Sequence, residues 1–138
     1  IPEENLHTSA CWLTFGEAAT RGLGRDEIAS GLLGIGHLAR NLAPIYCLCD
    51  AGDIGADAQV RSPSTELPTV YLDDMVPGGV GLAEKLFEVH DRLLEACLAL
   101  VKVCECENGC PGCVGPQVEP ASPAKRAAAL LLERVLGV

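Results

Sequence analysis

Positive charge is scarce in this chain: 10 lysines and arginines stand against 19 aspartates and glutamates, a net charge of −9. A surface that grips nucleic acid nonspecifically neutralises phosphates with Lys and Arg, so any nucleic-acid contact must be local or made by other domains. A P-loop is also missing, because none of the three lysines, Lys85, Lys102 and Lys125, follows a glycine. This chain alone cannot be a P-loop ATPase. Nothing at the N-terminus resembles a secretory signal, and no internal repeat or low-complexity run is visible. The longest apolar run, residues 31–49, is broken by His37, Arg40, Asn41 and Pro44, which makes it a poor membrane span and a good buried helix followed by a strand. Methionine occurs once, at Met75, and the chain opens on Ile1. Such a chain is expected to be a piece of a longer protein.

What is abundant is cysteine. Eight cysteines in 138 residues, without a targeting segment, point to a reducing, cytoplasmic compartment in which thiols serve as ligands and core residues. The length suits one domain with a core of its own. Four of the eight fall within Cys104-Glu105-Cys106-Glu107-Asn108-Gly109-Cys110-Pro111-Gly112-Cys113, where Asn-Gly and Pro-Gly turns fold the chain back. Zn²⁺ takes four thiolates in a tetrahedron at about 2.3 Å, and a Cys-x-Cys arm facing a Cys-x-x-Cys arm supplies them with little chain to order. Such a site is closed to water and stabilises structure rather than activating a nucleophile. Three alternatives compete. Two disulfides inside ten residues would be strained and cross-link little chain. An iron–sulfur cluster also uses four cysteines, but in other spacings. Redox catalysis by Cys110 and Cys113 would need a Cys-x-x-Cys opening a helix.

Hydrophobic patterning gives the frame. Residues 6–15 read as an internal strand, apolar on both sides, with Ser9, Cys11, Leu13 and Phe15 on one of them. A helix starts near Asp26 with the stripe Ile28, Leu32, Ile35, Ala39, Leu42 and stops before Pro44. Gly31, Gly34 and Gly36 lie off that stripe, where another backbone could approach closely. Residues 45–50 read as a second strand, 51–68 as a long exposed connection, and 69–72 as a third short strand. The Pro77-Gly78-Gly79-Val80-Gly81 turn leads into a long helix over about residues 81–103. Its stripe is Leu82, Leu86, Val89, Leu93, Ala96, Cys97, Leu100, opposite a mostly acidic face of Glu84, Glu88, Asp91, Glu95 and Lys102. A last helix, with Ser122 as cap and Pro123 in its first turn, would bury Ala124, Ala128, Leu131 and Val135. The fold class expected is α/β or α+β: a small central sheet packed with helices, with the Cys₄ knuckle tying the last two helices together.

Beyond the knuckle the chemistry is sparse. Asp50 and Asp53 after the second strand, and Asp73 and Asp74 after the third, could bind Mg²⁺ as a phosphodiesterase or nuclease would, although aspartates more often cap helices and make turns. The glycine turn 78–81 could cradle an anion, or simply permit a tight strand-to-helix turn. His37 and His90 read as hydrogen-bonded structural histidines, and Cys11, Cys47, Cys49 and Cys97 as core residues.

Several segments together resemble one family, in the same order along the chain. They are the strand Leu6-His7-Thr8-Ser9-Ala10-Cys11-Trp12-Leu13, the helix with Gly34-Ile35-Gly36-His37, Asp50 with Asp53-Ile54-Gly55, Tyr71-Leu72-Asp73-Asp74 with the Pro77–Ala83 turn, and the knuckle. They resemble the C-terminal zinc-binding domain of MrfA/YprA-type DEAD/DEAH-box ATP-dependent DNA helicases. The resemblance implies that Cys104, Cys106, Cys110 and Cys113 bind one structural Zn²⁺, with no catalytic residue in this chain. It also implies two RecA-like motor domains as partners in the intact protein, where ATP, Mg²⁺ and DNA would be handled in a repair role away from any membrane. The expected function is that of an accessory or scaffold domain; a metal-dependent phosphodiesterase and a protein-interaction module are the rivals. Four thiolates on Zn²⁺, flanked by Glu105 and Glu107, would repel phosphates. If this domain touches DNA, the candidates are therefore the glycine turn's amides and Arg40, Arg61, Lys125, Arg126 or Arg134.

Overall fold

Four strands form one antiparallel sheet in the order β1-β2-β4-β3. The structure, a computed structural model, describes residues 3–4, 9–76, 81–115 and 124–138. Strand β1 (Glu3–Glu4) pairs with β2 (Ser9–Thr14), β2 pairs with β4 (Thr69–Asp74), and β4 pairs with β3 (Ile54–Gln59). The internal position expected for residues 6–15 holds for β2, which has a neighbour on each side; residues 6–8 lie outside the described residues. Because every ladder is antiparallel and the helices pack on the sheet, the fold is α+β rather than a parallel α/β layer. Along β4 Val70, Leu72 and Asp74 are buried on one face, while Tyr71 and Asp73 on the opposite face are only half-buried, after a buried Thr69 at the strand's start. Trp12 packs against Tyr71 across the β2–β4 ladder, ring centroids 5.9 Å apart and ring planes tilted by 49°.

A short helix, α1 (Glu17–Thr20), precedes the long α2 (Arg25–Tyr46), and both α2 and α3 (Leu82–Val103) pack on the sheet. The last helix, α4 (Ala124–Leu136), packs on α2 and α3. Leu32, Ile35 and Ala39 of α2 are buried as their spacing requires, and Ile28 and Leu42 are partly so. On α3 the expected stripe is buried at Leu82, Leu86, Val89, Leu93 and Cys97, widened by Leu94, Leu98 and Val101, and Glu84, Glu88, Asp91, Glu95 and Lys102 are exposed. On α4 the buried positions are Ala127, Ala128, Leu131 and Leu132; Val135, expected inside, is exposed, and Ala124 is only partly covered. Ser122, Pro123 and the turn 77–80 lie outside the described residues.

Two expectations fail between residues 44 and 68. The strand expected over 45–50 is not formed, because α2 runs through Pro44 to Tyr46. A proline removes its own N–H bond, here the one to the Arg40 carbonyl, and crowds that carbonyl, yet the turn beyond still closes through Cys47 N–H to the Ala43 carbonyl at 2.9 Å. The supposed exposed connection contains a 3₁₀ turn (Ala51–Asp53) and β3 itself. The strand sequence Ile-Gly-Ala-Asp-Ala-Gln has little intrinsic β preference. It forms because the edge of β4 offers a ladder along its whole length, Ile54 opposite Asp74 through Gln59 opposite Thr69.

The three glycines of α2 each admit a different neighbour. A Cβ on Gly31 would lie 2.7 Å from Leu131 Cδ1 and 3.1 Å from the Ala127 carbonyl carbon of α4; one on Gly34 would lie 3.0 Å from Val114; one on Gly36, 3.2 Å from Ala56 of β3. Helix, knuckle and sheet thus meet α2 at backbone contact distance. Gly31→Ala should destabilise the fold by about 1–3 kcal/mol despite alanine's better helix propensity. Gly52→Ala, with nothing within 4 Å of its Cβ, should stay within about 0.5 kcal/mol of the parent in urea unfolding.

Candidate metal centre

The knuckle grows out of the end of α3. Cys104 is that helix's C-cap, its N–H bonded to the Leu100 carbonyl at 3.0 Å, and Cys106 follows on the same extended arm. The second arm turns back on itself, with Cys113 N–H and Gly115 N–H both donating to the Cys110 carbonyl at 3.0 and 2.9 Å. Gly109, at φ +145°, is obligatory at the crossing of the two arms, since a Cβ there would sit 2.6 Å from the Gly115 carbonyl oxygen.

This folding places the four sulfur atoms within 4.8 Å of one another. The closest separations are 3.5 Å for Cys104–Cys106, 3.5 Å for Cys104–Cys110, 3.4 Å for Cys106–Cys113 and 3.6 Å for Cys110–Cys113. A tetrahedron with metal–sulfur bonds of about 2.3 Å has edges of about 3.8 Å, so the donor set fits one Zn²⁺ in size as well as in softness. Disulfides require about 2.05 Å, and all four are free thiols. A polynuclear iron–sulfur cluster interposes several irons and sulfides between its cysteines and does not fit so tight a set. Cys113 is fully buried, which pushes its thiol up to about 12, whereas hydrogen bonds, first from the Cys106 backbone and then from neighbouring thiols, hold Cys104 at about 7. A bound dication reverses the penalty at Cys113 by stabilising the thiolate.

Two helices grip this loop. From α2, His37 Nε2 donates to the Pro111 carbonyl at 2.8 Å, and Asn41 Nδ2 donates to the same oxygen at 3.0 Å. From α4, Lys125 Nζ donates to the carbonyl of Cys104 at 2.6 Å and to that of Cys106. Its ammonium therefore lies beside a site that carries about two negative charges once four thiolates hold a dication. The structural role expected for His37 holds, and His90 likewise donates to the Phe87 carbonyl at 2.6 Å. Lys125, a candidate DNA contact by sequence, is instead committed to the knuckle. Its pairing joins residues 21 positions apart and left no mark in local spacing.

Arg40, Arg61 and the aspartates are structural. Arg40 donates to the carbonyls of Ile54 and Ala51, at 2.9 and 3.4 Å, and Arg61 pairs with Glu66 at 3.1 Å on the surface. Asp53 accepts from the Asp50 N–H at 3.0 Å in the 3₁₀ turn. Asp74 is buried and accepts from Val76 N–H at 3.1 Å and Leu82 N–H at 3.3 Å, which anchors the start of α3. Burial, then the Asp57 carboxylate, pushes Asp73 up, but it faces away from Asp74. Among the described residues the only Cys, His, Asp or Glu group placed to hold a metal is the four cysteines, so the four aspartates do not form the cation site a phosphodiesterase would need. Cys11, Cys47 and Cys97 are buried as expected, while Cys49 is only partly covered.

Lys125→Met should cost about 1–3 kcal/mol in equilibrium unfolding of the metal-loaded protein, the range for losing hydrogen bonds from a charged donor. A variant as stable as the parent would show that the Lys125 bridge contributes nothing.

Comparison with known proteins agrees with this geometry. Residues 35–114 match the family model described as MrfA Zn-binding domain. The ATP-dependent helicase YprA of Bacillus subtilis (strain 168) is 38% identical over 131 residues, 95% of this chain and 17% of the helicase. The protein MJ1572.1 of Methanocaldococcus jannaschii is 32% identical over 83 residues, 58% of this chain but 74% of that protein. Among solved structures, the DUF1998 helicase MrfA bound to DNA superposes with a TM-score of 0.81 at 38% identity, over 98% of this chain and 18% of the helicase. MrfA bound to DNA and AMPPNP superposes at 0.70 and 36% identity, over 95% of this chain and 16% of that one. The chain thus spans about a sixth of the length of the helicases it matches. The fold, the four-thiol cluster and these matches together make the chain a member of the MrfA Zn-binding domain family.

Proposed function

We propose that Cys104, Cys106, Cys110 and Cys113 hold one Zn²⁺ in a closed, purely structural site, and that residues 1–138 form a single accessory unit serving as a scaffold within an ATP-dependent DNA helicase. The observation that carries the reading is the set of sulfur separations of 3.4–3.6 Å, close to the edge of a zinc–thiolate tetrahedron. A full set of four protein ligands leaves no coordination position for water, so the ion's contribution is to fix the end of α3 against α2 and α4. The single-unit assignment draws support from MJ1572.1, in which the matching region is 74% of the protein.

The similarity to the ATP-dependent helicase YprA and to DNA-bound MrfA supports a helicase parent. RecA-like motor domains elsewhere in the intact protein would bind ATP and Mg²⁺ and act on DNA, in a cytoplasmic repair role. No helix among the described residues is long and apolar enough to cross a membrane. This chain supplies no ATPase step of its own.

Elemental analysis of the purified chain should give about one zinc per molecule. A Cys110→Ser, Cys113→Ser double variant, or prolonged chelation, should lose both the metal and cooperative unfolding. Iron in place of zinc, or no metal with intact folding, would contradict the assignment.

A further inference from the structure

Helix α4 carries Arg126, Leu130 and Arg134 at four-residue spacing, so the three follow one face and the two arginines stand about 12 Å apart along the axis. Facing them is the turn after α1, which presents Arg21. Together they line a cleft of about 270 Å³ whose one acidic member is Glu27. That carboxylate already accepts from the Gly24 N–H at 3.0 Å, where it caps α2. Arg134 Nη1 donates to the carbonyls of Ala19 and Arg21 at 3.0 and 2.6 Å, covering the carbonyl end of α1 that would otherwise repel an anion.

The use of charge elsewhere sharpens the contrast. Arg61, Lys85 and Lys102 are paired with glutamates, and Arg40 and Lys125 are spent on backbone carbonyls. Among the described residues the side chains of Arg21, Arg25, Arg92 and Arg126 have no hydrogen-bond or ion-pair partner within the protein, and of these Arg21 and Arg126 line the same cleft. In a chain of net charge −9, three of the ten cations therefore converge on one cleft against a single committed carboxylate. Guanidinium forks match phosphate oxygens two at a time, and the aliphatic Leu130 between them suits a sugar edge.

We propose that this cleft binds the phosphodiester backbone of a single DNA strand, with Arg21 and Arg126 as phosphate ligands and Arg134 as a third contact held in place by the carbonyls it caps. The choice of DNA rests on the helicase reading above; the cation cluster itself does not. The cleft lies between the α1–α2 turn and α4, and no residue of the acidic face of α3 or of the knuckle lines it.

The test is a titration of the zinc-loaded chain with a short oligothymidine at low salt, followed through the side-chain Nε–H resonances of its arginines and by fluorescence anisotropy. The signals of Arg21, Arg126 and Arg134 should move, and those of Arg61 and Arg92 should not. An Arg21→Gln, Arg126→Gln variant should bind at least about ten-fold more weakly, with the slope of log affinity against log salt smaller by about 1.4, two contacts at about 0.7 each on a single strand. No binding by the parent, unchanged binding by the double variant, or an equal loss in Arg92→Gln would overturn the proposal. Tripolyphosphate moving the same signals as strongly as the oligonucleotide would overturn it too, in favour of a small-anion site. Zinc content measured on the same samples keeps the two readings separate: intact zinc without strand binding removes only this proposal, whereas absent zinc removes the metal reading.

Discussion

Four thiols gathered within 4.8 Å can be ionised together only if a cation sits between them, and much of this fold is arranged to bring them there. Asp74 fixes the start of α3, 22 residues of that helix carry its end to Cys104, and the cluster turns the chain back toward α2. His37, Asn41 and Lys125 then hold the loop by its carbonyls rather than by its sulfurs. That division of labour is what a structural metal site needs: the ion satisfies the thiolates, and the protein satisfies the backbone around them.

The glycines of α2 do the complementary work. A 22-residue helix with Gly31, Gly34 and Gly36 has poor intrinsic propensity. Its stability comes from neighbours that reach its backbone, α4 at Gly31, Val114 of the knuckle at Gly34 and β3 at Gly36. Metal site and helix packing therefore depend on each other, because Val114 directly follows the fourth cysteine.

The legible parts of the sequence were those with a strong local signal. The period of α3, the clustering of four cysteines around two turn dipeptides and the short strand over 69–72 each reflect an interaction between near neighbours, and the fold contains the helix, the thiol cluster and, extended to Asp74, the strand. Strand β3 was invisible because Gly-Ala-Asp-Ala carries no strand preference and its only support is the edge of β4. The end of α2 lies beyond the expected stop because Pro44, in the last turn, interrupts the helix ladder at Arg40 without preventing the final turn from closing. The Lys125 bridge and the convergence of Arg21 with Arg126 join distant segments, and no spacing rule reports such pairs.

X-ray absorption at the zinc edge of the purified chain tests the central claim most directly. The account predicts four sulfur scatterers at about 2.3 Å and no nitrogen or oxygen in the first shell. A mixed shell containing a nitrogen or oxygen ligand, or a metal–metal distance characteristic of a cluster, would contradict it.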